Sequence, residues 1–128
     1  MFRTLAATVV LLAGTASSPM AADFYAGKQI SLVVGAPAGG GYDLLGRVVS
    51  RHIGKHIPGA PAIIVQNMPA ANSIAATNHL ANVAPRDGSA IALVQRGMLL
   101  AKFINPTGVQ FDIAKLNWIA ISTAKQAS

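Results

Sequence analysis

The sequence predicts an α/β fold, a parallel sheet layered with helices, on three observations. Short aliphatic runs recur at residues 30–34, 62–65, 90–94 and 118–121, each bounded by turn residues. None alternates cleanly with polar residues, which suits strands buried on both faces of a parallel sheet. The stretches between the first three runs carry helical periodicity, and the first run empties into a glycine turn, Gly39, Gly40 and Gly41, that opens a helix.

Ahead of the first strand the chain has the order of an export signal. Arg3 gives a positive start, residues 5–13 are apolar, and small residues follow through Ser17, Ser18, Ala21 and Ala22. The apolar run is shorter than the ~20 residues a membrane-spanning helix needs. Cleavage near Ala22 is expected, setting residues 1–22 apart from a folded part at 23–128.

The first helix is expected to start near Asp43 and to stop at Pro58 and Gly59. Its apolar residues at 44, 45, 48, 49, 53 and 57 form a stripe, while Arg47, Arg51 and Lys55 recur on another face. The second is expected to start at Asn72 or Ser73, both good N-caps, and to carry Ile74, Leu80 and Val83 before Pro85. The turn Pro85-Arg86-Asp87-Gly88 then leads into the third strand. Residues 98–104 are expected to be helical, Asn105 and Pro106 end that segment, and residues 111–116 fit no single pattern.

Composition narrows the chemistry. The chain of 128 residues has no cysteine, which excludes disulfides and thiolate metal sites. Ten basic residues against four acidic ones give a net charge of +6, which favours anions in general. The basic residues are scattered and no aromatic-rich strand accompanies them, so nucleic acid is not the expected partner.

The glycine turn carries the main functional signal. A loop that leaves a strand and opens a helix presents unpaired N–H groups and the positive end of the helix dipole, a combination that binds anions. Two enzyme motifs come close and fail. Gly35 and Gly40 have Walker A spacing, but Gly41 and Tyr42 stand where Lys and Ser or Thr are required, and Gly39 and Gly41 are followed by Leu44 where the dinucleotide fingerprint needs glycine. Asp43 reads as a first-turn or capping acid pairing with Arg47 rather than as a general base. His52 and His56 have zinc-compatible spacing without the glutamate of a metalloprotease helix, and read as part of a solvated basic face. No cofactor or metal is expected.

Taken together, the leader, then ISLVVGAPAGGGYDLLGRVVSRHIGKHIPG, IIVQNMPAANS and NVAPRDGSAIALV, resemble the N-terminal part of the periplasmic solute receptors of the tripartite tricarboxylate transporter family. The resemblance implies a lobe of a type II periplasmic binding protein-like fold. It also implies a function: periplasmic capture of a small organic carboxylate, a di- or tricarboxylate or similar anion, for membrane transporter subunits or a sensor protein. The implied ligand-binding residues are Gly39, Gly40, Gly41, Tyr42 and Asp43 in the first loop, Ala70, Ala71, Asn72 and Ser73 in the second, and Gln95 in the third. Those loops sit at the carboxyl ends of strands, where open α/β sheets bind ligands.

Two departures from the family pattern matter. Pro69, Ala70, Ala71 and Asn72 stand where relatives commonly read Pro-Gly-Ala-Gly, and an alanine held in left-handed geometry costs ~1–2 kcal/mol. Family chains are also more than twice as long, so residues 23–128 are expected to be a partial first lobe that ends before the second. A non-binding remnant of such a receptor and a nucleotide-dependent enzyme stay open as alternatives at this point.

Overall fold

The computed structural model describes residues 24–120. The proposed leader lies outside them. Three parallel strands form one sheet: β1, Gln29–Val34; β2, Ala62–Asn67; and β3, Ala90–Leu93, in the order β2-β1-β3. Helix α1, Gly41–Ile53, links β1 to β2 and runs into a 3₁₀ turn at Gly54–His56. A 3₁₀ turn at Ala71–Ser73 leads into helix α2, Ile74–Asn82, which links β2 to β3. After β3 come a 3₁₀ segment, Arg96–Leu100, a short helix α3, Ala101–Ile104, and a last 3₁₀ turn at Ile113–Lys115. The α/β class expected from the sequence is therefore observed.

The sheet is ordered by burial. β1 pairs with both neighbours, Leu32 standing opposite Val65 on one side and Ile91 on the other. Its Ile30, Leu32, Val33 and Val34 are all buried. The first crossover runs from β1 out to β2 and the second from β2 back past β1 to β3, so right-handed connections place α1 and α2 on opposite faces. On the α1 face Leu32, Val34 and Ala36 form a core cluster with Ile63, Val65, Ile91 and Leu93 packed around it. A second cluster, Ile74, Met98, Ala101 and Phe111, joins α2 to the segments after β3.

Three expectations are corrected. β2 is not buried on both faces, because α2 packs against β1 and β3 and leaves Ile64 43% exposed. The expected fourth strand is absent at residues 118–120, and Ile121 lies outside the described residues. There the Trp118 indole donates to Ile113 O at 3.2 Å, folding the segment back on its own turn instead of along the sheet. Val83, expected within the second helix, is instead its C-cap and 70% exposed.

Close approach of α1 to the sheet depends on Gly46. A Cβ there would stand 2.8 Å from Val34 Cγ2. An exposed helical glycine is improved by a side chain, whereas this one is expected to behave oppositely. Gly46→Val should destabilise the fold by about 1–3 kcal/mol through overpacking, read as a lower urea midpoint with an unchanged slope.

Candidate functional site

All three strands point their carboxyl ends at one edge, and the loops that leave them meet there. Between β1 and β3 lies the switch point at which the connections diverge, the usual ligand crevice of open α/β sheets.

A single hydroxyl joins the loops. Ser73 Oγ donates to Gly35 O, just after β1, at 2.8 Å and accepts from the Gln95 amide, just after β3, at 2.9 Å. Ser73 is fully buried. Its carbonyl accepts from Thr77 Oγ1 at 2.9 Å, and the Gln95 side chain donates to Gly35 O at 3.3 Å. Gly35 has to lack a side chain, since a Cβ would run into Ser73. Ser73 is thus the N-cap residue of α2 by position, yet its side chain makes no cap bond and reaches across the sheet edge instead.

The first loop is built around Asp43. Its carboxylate accepts from the Gly39 amide at 2.8 Å, Arg47 Nε at 2.9 Å and Asn67 Nδ2 at 2.9 Å. Asn67 Nδ2 also donates to Ala36 O at 3.0 Å, so the end of β2 is fastened to the loop after β1. Hydrogen bonds from Arg47, Gly39 and Asn67 outweigh burial and hold the Asp43 carboxyl down to about 2. Gly39 takes φ 82°, the left-handed conformation that folds its amide back onto Asp43.

These bonds decide which amides remain open. Gly39 N is committed to Asp43 and Gly40 N to Pro37 O at 3.3 Å. The first helical bond of α1 runs from Leu44 N to Gly40 O, so the amides of Gly41, Tyr42 and Asp43 precede it unpaired. In the second loop Ala70 N donates to Met68 O and Ile74 N to Ala71 O. The Ala71 and Asn72 amides donate to no carbonyl among the described residues. In the third, Met98 N bonds Gln95 O, leaving the amides of Arg96 and Gly97 ahead of that turn.

The structure therefore brings all ten sequence-derived site residues to one edge but gives them unequal parts. Asp43, Ser73 and the Gly39 and Gly40 amides hold the loops in shape. Gly41, Tyr42, Ala71 and Asn72 carry the open donors. Arg47, which neutralises Asp43, keeps that carboxylate from repelling an anion at the start of α1. Asn67 was missed because the sequence pattern ended the second strand at Val65. Pairing of Val34 with Asn67 is what places it beside Asp43. His52 directs Nδ1 to Val48 O at 2.8 Å, and among the described residues no three His, Cys, Asp or Glu side chains gather to hold a metal.

The second loop is strained. Ala71, Asn72 and Ser73 take φ of 48°, 51° and 73°, a left-handed run in which only Asn is at ease. Beside it lies an open cavity of about 190 Å³, lined by Ala71, Asn72, Ile74, Gly97, Ala101, Ile104 and Asn105. A larger hollow of about 250 Å³, lined by residues such as Gln29, Ile64 and Pro85, includes none of the site residues. No family model, no curated protein and no solved structure matches this chain.

Two outcomes are expected. Because Asp43 titrates at about 2 when folded, the unfolded chain binds its proton first as the pH falls. Its contribution is therefore complete above about pH 4 and lost as the pH drops toward 2. Asp87, held low by the Ser89 hydroxyl and amide, acts in the same direction. Asp43→Asn should lower the melting temperature at neutral pH and flatten the acid limb of the stability curve. Separately, Ala71→Gly should raise stability by about 1 kcal/mol, as the relief of left-handed strain exceeds the flexibility added to the unfolded chain; thermal unfolding reads it.

Proposed function

We propose that this chain supplies one wall of a periplasmic receptor for a small organic carboxylate, delivered to membrane subunits of a tripartite tricarboxylate transporter or to a sensor protein. One observation carries the reading: open backbone amides from three loops are gathered at the carboxyl edge of a parallel sheet by the Ser73 hydroxyl. The sequence resemblance to that receptor family supports the same assignment.

Backbone donors suit this task. A hydrogen bond to a charged acceptor contributes about 1.5–3 kcal/mol, and the start of α1 adds a favourable dipole. The protein's net charge of +6 draws anions toward the surface. Catalytic groups are not required, because capture and release leave the solute unchanged.

The lining is one-sided. The cavity of about 190 Å³ at the second and third loops is smaller than the ~300 Å³ at which enclosed ligand pockets begin. A wall of this kind binds weakly alone and tightly when a second surface closes over it.

Gly41 offers a clean test. It occupies the first position of α1, where proline is favoured, and Gly40 before it has φ −80° and ψ 169°, the extended geometry that proline requires of its predecessor. A Cβ at Gly41 meets nothing within 4 Å. Gly41→Pro therefore deletes one open amide without disturbing the fold. Calorimetric titration of the purified chain with succinate, citrate and benzoate should show carboxylate binding that this variant weakens roughly ten- to hundredfold, at an unchanged or higher melting temperature. A parent chain that binds none of the three even at millimolar ligand, where weak one-sided binding is still read, would refute the receptor reading. Equal affinity in parent and variant would remove α1 from the site.

A further inference from the structure

The cavity beside the left-handed turn has walls that select a ligand. Ala71, Ile74, Ala101 and Ile104 give it an apolar surface, and Asn72, Gly97 and Asn105 give it neutral polar groups. No ionisable side chain lines it. A second or third carboxylate placed there would find no cation among the lining residues, and whatever part of it the wall covers would lose hydration without gaining a partner. An aliphatic or aromatic body would instead bury its own surface against alanine and isoleucine side chains.

We infer that the solute is a monocarboxylate with a compact apolar body, the body seated in this cavity and the carboxylate on the backbone amides of the adjoining loops. This rests on the carboxylate-receptor reading and narrows its substrate class. Continuity of the two parts comes from Ala71 and Asn72, which line the cavity and carry open amides, and from Gly97, which does the same for the third loop. Size sets the scale of the body. An enclosed apolar cavity of ~150 Å³ accepts benzene, so an open one of about 190 Å³ has room for a six-membered ring or a branched aliphatic chain against its wall.

Gly97 and Ile104 allow the cavity to be altered without touching the core. A Cβ at Gly97 meets nothing within 4 Å and its φ is not left-handed, so a side chain is accommodated there. Ile104 is 78% exposed at the cavity lip. The purified chain and the variants Gly97→Leu and Ile104→Asp would be titrated by calorimetry with benzoate, 4-methylpentanoate, succinate, citrate and benzyl alcohol. Melting temperatures recorded alongside would confirm that both variants fold.

The expected result is that benzoate and 4-methylpentanoate bind at least about tenfold more tightly than succinate or citrate, and that both variants lose at least about tenfold in affinity for them. Tighter binding of succinate or citrate, unaffected by Gly97→Leu, would overturn this inference while the carboxylate-receptor reading stood. Equal binding of benzyl alcohol and benzoate would overturn the requirement for a carboxylate in both. Absence of binding by every probe would overturn both as well.

Discussion

The shape of the candidate site depends on the Ser73 hydroxyl. Among the described residues it is the one side chain that bonds the loop after β1 and the loop after β3 while itself belonging to the loop after β2. Sheet pairing alone fixes the strands only up to their carboxyl ends. Beyond them side chains tie the loops: Asn67 holds the first loop from the end of β2 and the Gln95 side chain reaches Gly35 O, while Ser73 Oγ joins all three segments. A buried hydroxyl can do so because it both donates and accepts, and Gly35 yields the space it needs by having no side chain. The left-handed run at Ala71, Asn72 and Ser73 follows from the same constraint, since the chain has to turn sharply between β2 and α2 for Ser73 to reach beneath its neighbours. Backbone strain of this kind persists where surrounding bonds over-determine it.

Asp43 solves a different problem. A carboxylate in the first turn of α1 stabilises the helix through its dipole, but an exposed one would compete with an anionic ligand for the same amides. Arg47 and Asn67 prevent this by saturating the carboxylate from two sides, and burial keeps it out of the solvent. Helix stability and the proposed anion binding are thereby compatible. The cost falls on Gly39, whose amide is consumed in the process.

Much of this was legible in the sequence, for physical reasons that also mark where legibility ended. The three strands were readable because their runs are short, β-branched and flanked by glycine and proline. Helix α1 was readable from its 3.6-residue stripe, and the Asp43–Arg47 pair from its spacing of four. What failed depended on partners distant in the chain. Residues 118–121 have the composition of a strand, yet a strand exists only when a neighbour offers its edge, and the described residues 118–120 pair with none. Glycine content suggested that Gly39 and Gly40 would present their amides to a ligand. Only the folded loop showed those amides turned inward, with Gly41 and Tyr42 left open. Asn67 and Gly35 carry no local signal at all, because their roles come from residues 24 and 38 positions away.

Division of labour between main chain and side chain follows from this arrangement. Amide donors are the same in every residue but proline, so in a carboxylate receptor they would recognise the group common to many solutes and could not by themselves distinguish one from another. Under the proposed reading, discrimination has to come from whatever surrounds the rest of the solute, the wall of Ile74, Ala101 and Ile104 being the surface on offer. Ile74 and Ala101 also belong to the hydrophobic cluster with Met98 and Phe111, so part of the proposed recognition surface is core. A substitution that reshapes this pocket from within therefore acts on stability and selectivity together. Ile104 and Gly97, at its exposed lip, are the positions where selectivity can change while the fold does not.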